Sequence, residues 1–377
     1  MGPLAGLKIV EFAGIGPGPF AAMLLADLGA EIIRIDRKEA SGLGLDRPLQ
    51  YDYSLRNRTT IQLDLKSPAG KDFALRLIDR ADALMEGFRP QVMERLGIGP
   101  EVCLERNRRL VYGRMTGWGQ SGPLAEVAGH DLNYIALTGA LHAIGREGQP
   151  PAIPLNLLGD YAGGSLYLVV GMLSALLECK ASGRGQVVDG AIVDGVASLS
   201  TQLHGALKAG LLNHERGTNF IDSGSHFYDV YECADGKWIS IAAVEPKFYT
   251  LLLRLLEVDI DTPQYDRASW PAAKVKIAQR IRTRTRGEWT RLLEGTDVCF
   301  APVLDLDEAP EHPHMKARGI YVEVAGELQP GPAPRFSRSA PAAPTQGVVA
   351  TPQTVQELLR GWLDDEVIEQ ARDSNLF

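Results

Sequence analysis

The first third of the chain alternates short apolar runs with segments of helical periodicity. An apolar run at residues 7–12 predicts a strand that stops at the glycine- and proline-rich segment 14–19. Apolar side chains then recur at helical spacing through residues 20–28, and a second strand is predicted at residues 31–36. Further strands are predicted at residues 60–65, 83–85 and 110–114, with a helix at residues 69–80. This alternation predicts a doubly wound, Rossmann-like α/β domain over the first ~125 residues.

The rest of the chain predicts core helices followed by a second, smaller α+β unit. The apolar segments 165–178 and 187–199 are both predicted to be core helices. A strand at residues 237–244 and a helix at residues 247–256 begin the smaller unit. The remaining segments are predicted to be a polar connection (211–227), a surface linker rich in Pro, Ala and Gly (330–352) and a last helix (355–365).

These segments predict the domain boundaries. We expect a large domain from two stretches, residues 1–200 and 325–377, and a small α+β domain at residues 225–315. Residues 201–224 and 316–324 are the predicted linkers. The large domain is the one that contains the Rossmann-like alternation.

Composition and charge exclude several classes of protein. The 377 residues are 45% hydrophobic and 23% charged, which is typical of a globular chain and not of a disordered one. The 39 basic and 47 acidic residues give a net charge of −8 with the signs interspersed, so no nucleic-acid partner is expected. The four cysteines form no CxxC pair, so no metal site is expected. The apolar run at residues 166–177 is shorter than the ~20 residues of a membrane span, and we expect a cytoplasmic protein without a membrane partner.

The glycine-rich segment 14–19 raises the hypothesis of a dinucleotide-binding site. It follows the first predicted strand, and Asp36 ends the second strand, where an acid would contact a ribose. Pro19, however, occupies the third glycine position, and a proline lacks the amide that would bind a phosphate. We therefore disfavour a nicotinamide enzyme. Basic side chains near the second strand could instead hold a terminal phosphate: Arg34, Arg37 and Lys38.

Two short segments place an ionisable residue beside glycine, just before an apolar helix. His130 follows Gly129, and Asp160 follows Gly159. A carboxylate is stabilised at the start of a helix, and amides there can also bind an oxyanion of a substrate. Taken singly, each residue also has a purely structural explanation, with Asp160 as a helix cap and His130 as a loop histidine.

Several motifs together resemble one known family. They are, in chain order, Gly14-Ile15-Gly16-Pro17-Gly18-Pro19, Leu63-Asp64-Leu65-Lys66, Thr116-Gly117-Trp118-Gly119-Gln120, Gly129-His130-Asp131-Leu132-Asn133-Tyr134 and Asn156-Leu157-Leu158-Gly159-Asp160. The resemblance continues through residues 231–236, 245–249 and 332–336, and so covers nearly the whole length. The chain is similar to the family III CoA-transferases and, within them, to the α-methylacyl-CoA racemases.

The resemblance implies an isomerase that inverts carbon 2 of a 2-methyl-branched acyl-CoA thioester through an enolate. His130 and Asp160 match the two catalytic positions, where the histidine serves the 2S substrate and the aspartate the 2R substrate. Glu245 matches the residue that hydrogen-bonds the histidine, and Asn156 is expected to orient the thioester or a catalytic side chain. We expect the backbone amide of Asp160 and the amino terminus of the helix that follows to stabilise the enolate. The resemblance implies no metal and no cofactor, since coenzyme A is part of the substrate.

The resemblance also implies a set of CoA-binding positions. Positive charge at Arg37 and Lys66 would suit the phosphates of CoA, although each could equally be a solvated surface charge. Tyr228 is a weaker candidate for the site's hydrogen-bond network. The full set of expected substrate-binding residues is Arg37, Leu63, Asp64, Leu65, Lys66, Arg95, Gly129, His130, Asp131, Leu132, Asn133, Tyr134 and Tyr228.

An alternative function remains open within the same family. Relatives that move CoA between carboxylic acids use the aspartate matched by Asp160 as a nucleophile and do not need the histidine, so His130 favours the racemase. The segment Ser223-Gly224-Ser225-His226 departs from the Gly-Gly-Ala-Pro-like stretch of the racemases. His226 is either a surface loop histidine or a new polar group in the pocket.

The resemblance further implies an assembly. In the family fold, two subunits interlock as a homodimer, and each site lies between the large domain of one subunit and the small domain of its partner. This arrangement predicts that Glu245 approaches His130 across subunits.

Overall fold

The computed structural model describes residues 2–39, 42, 44, 47–374 and 376–377. The strands are β1 (Lys8–Phe12), β2 (Glu31–Asp36), β3 (Thr59–Gln62), β4 (Ala83–Glu86), β5 (Val111–Thr116), β6 (Val187–Ala191), β7 (Tyr228–Glu232), β8 (Trp238–Ala242), β9 (Phe300–Pro302), β10 (Tyr321–Val324), β11 (Glu327–Pro330) and β12 (Val348–Val349). The α-helices are α1 (Pro17–Asp27), α2 (Pro68–Asp79), α3 (Val92–Leu96), α4 (Pro100–Arg106), α5 (Asp131–Leu137), α6 (Ala140–Ala143), α7 (Tyr167–Ser182), α8 (Ile192–Leu199), α9 (Thr201–Lys208), α10 (Pro246–Leu256), α11 (Trp270–Ile281), α12 (Arg286–Leu293), α13 (Pro313–Ala317), α14 (Val355–Leu358) and α15 (Asp365–Asp373). A π-helix, Leu157–Leu166, precedes α7.

The chain divides into two compact units. The first is formed by Met1–Thr138, Leu155–Leu199 and Gly319–Phe377, and the second by Gly139–Pro154 and Ser200–Arg318. These bounds differ from the predicted ones at three places. Residues 139–154 belong to the second unit instead of the large domain. Residues 201–224 also belong to the second unit and include α9, and residues 316–324 include β10, so neither segment is a plain linker.

The first unit is built on a parallel sheet that changes direction at its centre. In the described part of the chain this sheet has seven strands in the order β12-β3-β2-β1-β4-β5-β6, and all neighbouring strands are parallel. The chain runs outward from β1 through β2 to β3 and then returns to β4 on the other side of β1. Open α/β sheets bind their ligands outside the carboxyl ends of the strands near such a switch point. The predicted α/β fold with its Rossmann-like alternation is confirmed.

The central strands form because their side chains are buried on both faces. Ile9 and Val10 are neighbours in β1, point to opposite faces, and are both fully buried. Strands of parallel sheets read as continuous apolar runs because helices cover both faces. On one face, Val10 packs in a cluster that includes Ile33 of β2 and Leu77 of α2. The packing of helices on this face therefore fixes the position of β1, β2 and β3, and with it the position of the loops that follow these strands.

Residues 187–199 correct the prediction of a core helix. The first part of this run is the strand β6, which pairs with β5, and only Ile192–Leu199 is helical. The run is mostly apolar, with Asp189 and Asp194 within it, and its pattern does not separate a strand from a helix. Gly185 allows the strand to approach its neighbour, because a Cβ at this position would lie 1.9 Å from the carbonyl oxygen of Leu110.

The carboxyl-terminal segments also differ from the prediction. The segment 330–352, predicted to be a surface linker, ends in β12, which pairs with β3 at the edge of the sheet. The predicted helix at residues 355–365 is instead two helices, α14 and α15. Gly361 lies between them in the left-handed region, with φ at 81°, where a continuing helix cannot pass. Trp362 packs into the same core cluster as Val10.

Residues 157–182 form one continuous helical segment, because the π-helix runs into α7. This segment is longer than the apolar run at residues 166–177, and by length and composition alone it could cross a membrane. Buried helices in the cores of water-soluble proteins meet the same criterion. Its amino-terminal half packs inside the unit: a Cβ at Gly163 would lie 2.5 Å from the Val196 side chain of α8.

The second unit is an α+β structure around an antiparallel sheet. In the described part of the chain, β7, β8 and β9 form a three-stranded sheet in that order. Its core contains Phe227, Ile239 and Trp289, which are all fully buried. The predicted strand at residues 237–244 and the predicted helix at residues 247–256 are confirmed as β8 and α10.

Candidate active site

Two segments of the first unit bring the predicted acid–base residues close together. His130 is the residue that caps the amino terminus of α5, and Asp160 lies in the π-helix. Asp131, the residue after His130, accepts the backbone N–H of Asp160 at 2.6 Å, so the two segments meet at this point. π-Helical turns are rare and occur frequently at functional sites.

The carboxyl group of Asp160 titrates near neutral pH. Burial, which has the largest effect, and the negative charge of Asp131 together raise the pKa of Asp160 to about 6. A side-chain hydrogen bond with Asn156 and the charge of His130 act in the opposite direction. Because its pKa lies close to neutral pH, the carboxyl group can accept a proton in one step and donate one in another.

The glycine-rich segment after β1 contacts this carboxyl group directly. Gly16 has a φ of 67°, and a Cβ on it would lie 3.0 Å from Oδ2 of Asp160. Helix α1 starts at Pro17, whose carbonyl oxygen accepts a hydrogen bond of 2.7 Å from Ser165 in the π-helix. Asp36, the acid of the dinucleotide hypothesis, is paired with Arg34 at 2.7 Å. Gly16 is therefore explained by the close approach of Asp160, whereas a Cβ at Gly14 or Gly18 would meet no atom within 4 Å.

The segment around His130 is held by its neighbours in α5. The backbone N–H of His130 donates to Oδ1 of Asn133 at 3.0 Å. The hydroxyl of Tyr134 donates to the carbonyl oxygen of Gly129, and its ring packs edge-on against Trp118 with 4.7 Å between centroids. The His130 side chain is exposed. The backbone is thus held by hydrogen bonds while the imidazole stays accessible to solvent.

Asp131 links the two segments through a buried hydrogen bond. Its side chain is 7% exposed, and Oδ2 accepts the backbone N–H of Asp160 at 2.6 Å. This contact corrects the expectation that the Asp160 amide stabilises an enolate, because that amide already has an acceptor. The contacts in this segment are therefore made within the protein by Asp131, Asn133 and Tyr134. Leu132, which lies between them, is exposed.

The predicted CoA positions lie at the carboxyl ends of β2 and β3. Arg37 and Lys66 are both exposed there, which leaves their charges accessible to a phosphate. Asp64 accepts the backbone N–H of Lys66 at 2.9 Å and so shapes the turn. The Leu63 side chain is 1% exposed and packs in the core, and its N–H donates to the carbonyl oxygen of Asp36. Leu65 is half-buried against the same core.

The structure adds one basic residue that the sequence analysis did not single out. Arg89 follows β4, and its positive charge lowers the pKa of the Tyr134 hydroxyl, against the larger effect of burial. It therefore lies close to the His130 segment. The sequence could have pointed to Arg89 through its position just beyond the carboxyl end of a central strand. The predicted Arg95 is exposed on α3.

The remaining predicted residues lie in the second unit. Glu245 caps the amino terminus of α10, and Tyr228 begins β7 with 37% of its surface exposed. His226 is fully buried, and its Nε2 lies 2.6 Å from the hydroxyl of Tyr249. Burial and, to a smaller extent, the charge of Lys274 lower the pKa of His226 to about 4. Both interpretations of His226, as a surface histidine or as a pocket group, are therefore wrong.

Comparison with known proteins gives matches over nearly the whole chain. Alpha-methylacyl-CoA racemase from Mus musculus is 40% identical over 375 residues, which cover 98% of this chain and 96% of the relative. Alpha-methylacyl-CoA racemase from Homo sapiens is 42% identical over 347 residues, which cover 91% of this chain and 88% of the relative. The crystal structure of a CAIB/BAIF family protein from Brucella suis superimposes with a TM-score of 0.79 at 25% identity, covering 91% of this chain and 94% of that one.

A family model points the same way. The model for CoA-transferase family III matches residues 4–354. This range includes every segment on which the motif resemblance depends, and it spans both structural units. The chain belongs to CoA-transferase family III.

Proposed function

We propose that the protein is a racemase that inverts carbon 2 of 2-methyl-branched acyl-CoA thioesters by proton transfer through an enolate. The observation that carries this proposal is that Asp131, the residue after His130, accepts the backbone N–H of Asp160 at 2.6 Å, which places an imidazole and a carboxyl group with a raised pKa in adjoining segments. The two relatives named alpha-methylacyl-CoA racemase, at 40% and 42% identity, support the same function.

Inversion needs two groups, because the returning proton must reach the face opposite the one that loses a proton. With a 2R substrate, the Asp160 carboxylate removes the α-proton and the His130 imidazolium donates a proton to the other face. With a 2S substrate, neutral His130 removes the proton and the Asp160 carboxylic acid donates one. The electron pair of the broken C–H bond is held in the enolate between the two steps, so no electron leaves the substrate.

The pKa of Asp160 suits both directions of this reaction. A carboxyl group at its usual pKa would be almost wholly ionised at neutral pH and would be a poor acid. Burial and the charge of Asp131 raise the pKa to about 6, so both protonation states are accessible. A single positioned acid or base contributes about 10²–10⁴ in rate. The enolate must be stabilised by a hydrogen-bond donor other than the Asp160 amide, because that amide already donates to the Asp131 carboxylate.

The coenzyme A part of the substrate would bind along the carboxyl edge of the sheet. The exposed cations Arg37 and Lys66 at the ends of β2 and β3 suit its phosphates. Arg89 and Arg95 follow β4 and add positive charge on the other side of the switch point. Because the chemistry moves only a proton, it requires neither a metal nor a redox cofactor. We place this activity in the cytoplasm.

The active form is proposed to be a homodimer with interlocked subunits. Support comes from the continuous segment of the π-helix and α7, where Leu166, Val170 and Leu177 fall on one face and are 47%, 63% and 71% exposed. A second copy of the chain would bury this apolar stripe. In such a dimer Glu245 would hydrogen-bond His130 of the partner subunit, and Tyr228 would join the same network.

The proposal is tested by following the α-proton. The protein is incubated in deuterium oxide with either epimer of 2-methylacyl-CoA, and both inversion and deuterium at carbon 2 are measured. The proposal expects the two to rise together from each epimer. Absence of both inversion and exchange across a panel of branched acyl-CoA thioesters would contradict it. A transferase would instead move CoA to a free acid and give an Asp160 intermediate that hydroxylamine or borohydride traps.

A further inference from the structure

The carboxylate of Asp131 makes an unusually close contact with the backbone beside Asp160. Oδ2 accepts the Asp160 N–H at 2.6 Å, and the N–H of Gly159 also interacts with this carboxylate. Oδ1 is buried and has no hydrogen-bond partner among the residues that the structure describes. Asp131 and Asp160 are far apart in the sequence, so this contact joins the two segments that carry the acid–base pair.

The neighbouring glycine makes this contact possible. A Cβ at Gly159 would lie 2.4 Å from Oδ2 of Asp131, closer than two such atoms can approach. Gly159 therefore leaves the space in which the carboxylate reaches the backbone. The pair of residues Gly159 and Asp160 is thus matched to Asp131 in shape as well as in hydrogen bonding.

The same carboxylate acts on Asp160 through its charge. Burial is the larger cause of the raised pKa of Asp160, and the negative charge of Asp131 is the next. His130 and Asn156 act in the opposite direction, and Tyr134 is the further titratable group that is coupled to Asp160. Helix α1, which packs against the π-helix, has no acidic or basic residue in its first turn, and Asp194 of α8 acts on Asp189 instead.

We propose that Asp131 is a positioning residue of the reaction: its buried carboxylate holds the backbone of Asp160, and its charge keeps a proton available on the Asp160 carboxyl group. This inference rests on the proposed racemase function. The two roles are separable by substitution. Asparagine at position 131 keeps an oxygen that can accept the Asp160 N–H, and it removes the charge.

The experiment is the pH dependence of kcat/KM for the wild type and Asp131→Asn. Removal of one negative charge several ångströms away should move the acidic limb to lower pH by about one unit. Both epimers should show the same shift, because the two reactive forms of the enzyme carry the same number of protons. Asp189→Asn is the matched control, since this carboxylate also accepts a backbone N–H, from Gln120 at 3.2 Å. It should leave the limb in place.

The outcomes distinguish this inference from the proposed function. A wild type without inversion would overturn the racemase proposal itself. Suppose instead that the wild type inverts carbon 2, and that Asp131→Asn folds and has the same acidic limb in its pH dependence of kcat/KM as the wild type. This result would overturn the role of Asp131 alone. Thermal melting shows whether the variant is folded at the assay temperature.

A second variant keeps the proposal testable if Asp131→Asn does not fold. Gly159→Ala pushes the Asp131 carboxylate off the Asp160 amide by steric contact and leaves both charges in the chain. We expect kcat to fall about tenfold or more, because small displacements of a catalytic group are costly, with little change in KM. An unchanged kcat would show that the contact does not position Asp160.

Discussion

The contact between Gly16 and Asp160 gives a sharp test of how the site is built. Replacement by alanine adds a Cβ that would lie 3.0 Å from Oδ2 of Asp160, at a backbone φ of 67°. Relief to an ordinary contact requires the carboxylate to move by about 0.5 Å or more. A misplacement of ~1 Å can cost ~10²-fold in rate, so we expect kcat to fall about tenfold to a hundredfold. The left-handed backbone adds a stability cost of ~1–2 kcal/mol.

The assay compares Gly16→Ala with Gly18→Ala by steady-state inversion and by thermal melting. Gly18 lies two residues away in α1, and a Cβ added there would have no neighbouring atom within 4 Å, so its substitution should leave kcat unchanged. Wild-type kcat for Gly16→Ala would refute the reasoning, as would an equal loss in both variants.

Three further results follow from the structure. Asp160→Asn should raise the melting temperature at pH 8 and not at pH 4. The pKa of Asp160 is about 6 in the folded protein and ~3.9 in the unfolded chain, so ionisation of this carboxyl group destabilises the fold as the pH rises through this window. The loss of stability is at most ~3 kcal/mol before screening by solvent. An equal effect at both pH values would contradict this. Tyr249→Phe removes the partner of the buried His226 Nε2 and should lower the free energy of unfolding by ~1–3 kcal/mol, measured by chemical denaturation; no loss would show that this hydrogen bond is not needed. Leu177→Asp should convert dimer to monomer in sedimentation velocity, whereas Glu178→Gln should not; a monomeric wild type would refute the assembly.

Several elements were predictable because local signals agreed. Residues 31–36 form β2 as predicted, since an apolar run of strand length is bounded by Gly29 and ends in Asp36. Residues 187–199 were not predictable in the same way. This mostly apolar run, which includes Asp189 and Asp194, suits a strand as well as a helix, and only the pairing with β5 decides between them.

The site itself depends on contacts between distant segments. The resemblance to a known family identified His130 and Asp160, whereas spacing alone left each with a structural explanation. The bond from Asp160 to Asp131 and the approach of Gly16 join parts of the chain that no local pattern connects. For the same reason the burial of His226 was missed, because its partner Tyr249 lies on the next helix of the second unit.

The central claim is that His130 and Asp160 act on opposite faces of the same carbon. It is tested most directly by proton exchange in the single variants, measured in deuterium oxide with each pure epimer. The account predicts that Asp160→Ala exchanges the α-proton of the 2S epimer without inversion and that His130→Ala does the same with the 2R epimer. Loss of exchange with both epimers in either variant, or inversion that survives in one of them, would contradict it.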